Sequence, residues 1–170
     1  MSQPHRARQP AHRLGVEVAP DELSLELPAA HSTARAARAL VRQFAGNHGL
    51  SGDDLDTLVL VADELLTNAV DHGGGGGTLE EADLQVPVRM GLVLLLTSSG
   101  WELRVSDQGG GDPVAVNELI HPRDQPNLED ERGRGFFLMA QMVDSLEVVR
   151  STDGLGLCLV AKRRLGANRR

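Results

Sequence analysis

Leu23, Leu25 and Leu27 alternate with Ser24 and Glu26, a period of two that predicts a half-buried strand ending at Pro28. The period then changes. From Ser32 onward Ala36, Leu40, Val41 and Phe44 recur at helical spacing, and Gly46 with Gly49 punctuates the end of that helix. Ser51, followed three residues later by Asp54, reads as a capping box ahead of Leu55, Leu58, Val59, Ala62, Leu65, Leu66 and Ala69. This second helix is long and must stop at Gly73–Gly77, because five consecutive glycines carry too much backbone entropy to remain helical. The rest, through Pro87, reads as a long mobile connection.

Two β-rich runs follow, Val88 to Thr97 and Trp101 to Ser106, and the Ser98-Ser99-Gly100 break between them predicts an antiparallel hairpin. A polar stretch from Asp107 to Arg132, with one helical turn around Val114 to Leu119, leads to a helix over Phe136 to Val143. Ser145 to Ser151 and Leu155 to Arg163 form a second hairpin across Asp153 and Gly154. Strand, two helices, hairpin, helix, hairpin, without a repeated βαβ unit, predicts an α+β two-layer sandwich: a mixed, mostly antiparallel sheet with helices on one face. Residues 1–20 mix Arg, Pro, His and Gln without period and are read as a flexible N-terminal extension, 21–165 as the domain and 166–170 as a tail.

The totals restrict function more than fold. A chain of 170 residues with 41% hydrophobic content suits one domain. A formal charge of -7 argues against direct nucleic-acid binding, and the four aromatic residues, Phe44, Trp101, Phe136 and Phe137, supply no stacking platform. No apolar run is long enough for a membrane, and no apolar core and cleavage pattern follows the Arg-rich start, so cytoplasmic residence is expected. Cys158 is the only cysteine, which excludes an internal disulfide and a zinc site of several thiolates. Set among Leu157, Leu159 and Val160, it reads as a small core residue.

Three short motifs carry chemistry. In Glu64-Leu65-Leu66-Thr67-Asn68-Ala69, residues four apart share one face of the second helix, so a carboxylate and an amide oxygen point at one spot. A single amide oxygen with nucleotide phosphates is enough for Mg2+, which keeps several waters. In Val105-Ser106-Asp107-Gln108-Gly109-Gly110-Gly111, a carboxylate at a strand end can accept from an exocyclic amino group while glycines let backbone approach a ring. In Glu131-Arg132-Gly133-Arg134-Gly135-Phe136-Phe137, a glycine-rich helix start offers backbone N–H groups to an anion, with Arg132 or Arg134 adding charge. Neither a Walker loop nor a dinucleotide fingerprint is present. Taken singly, each motif also reads as ordinary structure: a solvated helix face, an Asp-Gly turn, a helix-start turn.

In order and placement together, the motifs resemble the Bergerat-fold ATPases, over about Leu23 to Arg164. The string Glu-Leu-x-x-Asn-Ala-x-x-His-Gly, Glu64 to Gly73, is most similar to the anti-sigma-factor serine/threonine kinases of partner-switching systems. That resemblance implies ATP and Mg2+ as cofactors, Glu64 as general base and Asn68 as the magnesium ligand. It implies that Asp107 binds the adenine amino group, that Gly109 and Gly111 shape its pocket, and that Gly133 and Gly135 lie along the phosphates. The implied partners are a sigma factor and an anti-sigma-factor antagonist protein, and the implied assembly is a homodimer. Arg132 departs from the family, which commonly has a hydroxyl residue there, and the segment from Gly73 to Pro87 is unusually glycine-rich. These departures leave open a nucleotide-sensing interaction module that transfers no phosphate. A histidine-kinase catalytic domain is disfavoured, since the short stretch ahead of the domain supplies no helix pair bearing a phosphoacceptor histidine.

Overall fold

Alternation along each strand places two apolar rows across one face of a six-stranded sheet. One row runs Leu25, Leu92, Val105, Leu159, Val148 and the other Leu23, Leu94, Leu103, Ala161, Leu146, each residue paired with the next. All ten are buried. The computed structural model describes residues 15–19, 21–73, 88–121 and 131–166, with only the backbone of 17, 18 and 131–133. The strands are β1 (Gly15–Ala19), β2 (Glu22–Pro28), β3 (Arg89–Thr97), β4 (Gly100–Ser106), β5 (Ser145–Arg150) and β6 (Leu157–Arg164), and the helices α1 (His31–Asn47), α2 (Gly52–His72), α3 (Pro113–Ile120) and α4 (Glu131–Met142). Strand order is β1-β2-β3-β4-β6-β5 and every neighbouring pair is antiparallel.

Helix α2 is the centre of the helical layer. Leu58, Val61, Ala62, Leu65, Leu66 and Ala69 are buried at helical spacing, and α1 adds Ala37, Val41, Phe44 and Ala45 to the same core. Arg163, near the end of β6, ties the layers together: Nη1 donates to Thr57 Oγ1 at 3.0 Å and to the Met142 carbonyl at 2.8 Å, and Nη2 pairs with Asp54 at 3.3 Å. Arg38–Asp63 and Arg42–Asp56 pairs link the exposed sides of α1 and α2.

The α+β sandwich with helices on one face is as expected, and five details differ. The sheet among the described residues is wholly antiparallel, not mixed. Residues 1–20 are not all outside the domain, because Gly15–Ala19 pairs along β2 from Gly15↔Glu26 to Ala19↔Glu22. That strand is short, lies at the sheet edge and follows an Arg- and Pro-rich stretch, so its own alternation is a weak signal. Ser51 is the N-cap of α2 but makes no side-chain cap bond, and Gly52 at φ 58 separates it from the helix body. Helix α4 begins at Glu131, five residues ahead of Phe136, despite Gly133 and Gly135. Burial of Phe136 and Met139 outweighs their poor propensity. Cys158 lies half-buried on the face opposite the helices, beside Ser106 and Val149, rather than in the core. The predicted connection beyond Gly73, up to Pro87, lies outside the described residues, as do 122–130 and the tail from 167.

Leu103 is fully buried in the middle of the sheet, whereas Leu60 on α2 is 47% exposed. Leu103→Ala is expected to cost about 2–5 kcal/mol. Leu60→Ala is expected to stay within about 0.5 kcal/mol. Urea unfolding of the two variants checks the difference.

Candidate active site

The C-terminal half of α2, the end of β4 and the start of α4 meet at one end of the helical layer. They enclose, with α3, a cavity of about 260 Å3 lined by Asn68, His72, Asp107, Gly109, Gly111 and Phe136. Two motifs distant in sequence thus share one cavity. Glu64 stands one helical turn before Asn68, half-buried, and does not line that cavity; its carboxylate faces α4, with Oε2 only 3.3 Å from where a Cβ on Gly135 would lie. Arg134 is exposed, and the side chain of Arg132 and the surroundings of Gly133 lie outside the described residues.

Asp107 is held in place by backbone. Its Oδ1 accepts the Gly109 N–H at 2.9 Å and the Leu157 N–H at 3.2 Å, while its own N–H donates to the Leu157 carbonyl at 2.9 Å. Among the described residues no donor is bonded to Oδ2, although the residue is only 8% exposed. Three glycines make this packing possible. A Cβ on Gly73 would lie 2.7 Å from the Asp107 Cβ, one on Gly109 would meet the Gly73 Cα at 2.6 Å, and one on Gly156 would strike the Asp107 carbonyl and carboxylate. Each is tighter than real Cβ contacts, so α2, the loop after β4 and the turn before β6 close on each other only as bare backbone.

The loop after β4 is also clamped from outside. Gln108 Oε1 accepts the Arg89 N–H at 3.0 Å, and its Nε2 donates to Asp153 Oδ2 at 3.0 Å; the Gly110 N–H donates to the Leu155 carbonyl at 3.0 Å. The Ser151 hydroxyl, the Leu155 N–H and Gln108 hold the Asp153 carboxyl below its ordinary range. A depressed carboxylate contributes at neutral pH and loses that contribution only as pH falls through the lowered value. Gln108, Gly156, Leu157 and Phe136 were given no role from sequence. Gly156 reads from sequence as part of the strand from Leu155 to Arg163, and only its contact with Asp107, 49 positions earlier, reveals it.

A wider depression of about 500 Å3 lies on the open face of the sheet. At its centre Glu102 pairs with both Arg104 and Lys162. Burial pushes the Glu102 carboxyl up, but the bonds from Lys162 and Arg104 outweigh it and leave the group below its usual range. Burial likewise raises the Cys158 thiol there, against a smaller pull from Arg104, which leaves it a poor nucleophile. The smaller cavity, where the motif residues meet, is the candidate site.

Comparison with known proteins identifies the family and the fold. Residues 27–162 match the histidine kinase-like ATPase domain family, and the chain belongs to that family. Membership in this ATPase family implies use of ATP. The serine-protein kinase RsbW of Halalkalibacterium halodurans is 30% identical over 134 residues, 76% of this chain and 76% of that protein. The crystal structure of the RsbU and RsbW domains of Rv1364c from Mycobacterium tuberculosis superposes with a TM-score of 0.55 at 19% identity, over 85% of this chain. This chain spans about a third of that one, 32%. The SiaB–SiaC complex from Pseudomonas aeruginosa gives a TM-score of 0.58 at 12% identity, over 84% of this chain and 89% of the matched one. Both structures share the fold. Among the described residues, no helix is long and apolar enough to cross a membrane, and no cluster of three or more His, Cys, Asp or Glu side chains is placed to hold a metal.

The glycine contacts are testable by stability alone. Gly109→Ala puts a methyl into the Gly73 backbone and is expected to cost roughly 1–3 kcal/mol. Gly46→Ala, in α1 with nothing within 4 Å of the new Cβ, is expected to stabilise by up to about 1 kcal/mol. Thermal unfolding of both variants measures the contrast.

Proposed function

We propose that this chain is a serine/threonine protein kinase that transfers the γ-phosphoryl group of ATP to a small anti-sigma-factor antagonist protein and, in its alternate partner state, sequesters a sigma factor. One observation carries the reading: Asn68 opens onto the cavity that contains Asp107, and Glu64, one turn away on the same helix, faces the glycine-bearing start of α4. Family membership and the likeness to a serine-protein kinase support ATP-dependent phosphotransfer.

Each residue then has a task. With Oδ1 of Asp107 committed to two backbone amides, Oδ2 is the atom that accepts from the exocyclic amino group of adenine. Gly109 and Gly111 give the ring a wall without side chains. The backbone at the start of α4, with Gly133 and Gly135, lies along the phosphates, and Arg132 and Arg134 add positive charge. The donors fit Mg2+, since one amide oxygen from Asn68 together with nucleotide phosphates and water meets its preference for oxygen, and the described residues build no rival cage of carboxylates. Bound there, Mg2+ supplies neutralisation of phosphate charge. Glu64 takes the proton from the substrate hydroxyl as that oxygen attacks the γ-phosphorus, and ADP leaves with the bridging oxygen. The reading includes a cytoplasmic homodimer.

Arg132, standing where related kinases commonly have a hydroxyl, favours a second reading in which ATP binding changes partner contacts without transfer. Labelled ATP incubated with candidate antagonist proteins separates the two, since phosphoserine on one of them requires a kinase. Glu64→Gln is expected to slow that transfer by roughly 10²–10⁴-fold with ATP affinity retained. Equal loss of binding and transfer would contradict the base assignment. Asp107→Asn is expected to weaken ATP about ten- to a hundredfold, the worth of a hydrogen bond to a charged group. Undiminished binding by that variant removes the adenine assignment.

A further inference from the structure

We propose that Asn117 is a positioning residue that seats α3 on the open edge of β5 and so holds one wall of the nucleotide cavity, an inference that rests on reading that cavity as the ATP site. β5 is the last strand of the sheet, and among the described residues no strand lies beside its outer edge. The Asn117 side chain takes that place. Its Nδ2 donates to the Val148 carbonyl at 2.7 Å and its Oδ1 accepts the Val148 N–H at 3.0 Å, so one amide reads both peptide groups of one residue as a neighbouring strand would. The backbone N–H of Val148 can only donate and its carbonyl only accept, which fixes the orientation of the amide. The second Nδ2 proton goes to the Pro113 carbonyl at 2.9 Å, within α3 itself.

His121, four residues on, repeats the contact two residues back along the strand, with its Nε2 3.1 Å from the Leu146 carbonyl. The spacing matches because four helical residues rise about 6 Å and two strand residues about 6.8 Å. Beyond the other end of α3, Arg150 Nη1 donates to the Gly111 carbonyl at 2.9 Å. Contacts from Leu146 to Arg150 thereby join β5 to a helix and a loop that both line the cavity. Ala115, Val116 and Leu119 of α3 line the cavity opposite Asn68 and His72. With eight residues, α3 is too short to hold its place by helical propensity, so its docking determines where that wall stands.

Substitution of Asn117 in the full chain tests this, with ADP as the probe. Asn117→Leu is expected to remove hydrogen-exchange protection from the Val148 amide, weaken ADP roughly tenfold and raise KM for ATP, with kcat at saturating ATP little changed. Val41→Ala, buried in α1, is expected to lower stability with ADP affinity unchanged. His121→Ala, which keeps the Asn117 pair, is expected to act in the same direction with smaller effect and serves if Asn117→Leu does not fold. Wild-type ADP affinity in a folded variant whose α3–β5 bonds are lost overturns the proposal, as does an equal loss of affinity in Val41→Ala. Absence of ADP binding by the wild type overturns the ATP-site reading and the inference with it, a result distinct from the other two.

Discussion

Where α2 ends, backbone meets backbone. Gly73, Gly109 and Gly156 come from a helix end, a loop and a hairpin turn, and each packs so closely at Asp107 or its neighbours that a single methyl would not fit. The Asp107 carboxylate is the polar centre of that contact, since two amides from different segments bond to one of its oxygens. Bonds to a charged acceptor are stronger than neutral ones, and two amides from different segments fix its orientation as well as its position. A site built on such a junction is rigid on the side where the base would sit, and the side-chain positions that the family motif supplies on α2 are measured from it.

The one-sided sheet supplies the frame. Its apolar rows are covered by α2 in the middle and by α1 and α4 beside it. On α2 the half-buried Glu64 faces α4, and Asn68, one turn on, opens onto the cavity. The sheet's other face keeps its charges paired among β4 and β6, and its open edges are handled differently at the two sides: β1 extends one, while α3 and its side chains close the other.

Long-range polar links hold the helical layer in register with the sheet. Arg163 reaches from β6 to α2 and to the end of α4, and Gln108 joins the start of β3 to the β5–β6 turn. Neither pair of segments is close in sequence, and the Gln108 link clamps the loop that lines the cavity. Arg163 is only partly exposed, so its bonds face less competition from water than the α1–α2 surface pairs.

From β2 onward the order of strands and helices was legible in the chain because apolar periods of two and of 3.6 are local, whereas β1 was not, and the motifs at Glu64, Asn68 and Asp107 through Gly111 stand out by residue type and spacing. Strand β3 shows where that reading stops: Met90, Leu92 and Leu94 are buried while Val93 and Leu95 are half-exposed, yet all are apolar, and only pairing with β2 and β4 decides which face turns inward. The same applies to the early start of α4, which depends on burial of Phe136, and to Gly156 and Asn117, whose partners lie tens of residues away. Sequence determined most of the segments that become helix or strand, β1 and the first turns of α4 excepted, and which residues had the chemistry for a nucleotide. Tertiary structure alone decided which backbones touch and which polar atoms remain available, because those depend on distances between segments that no local pattern records.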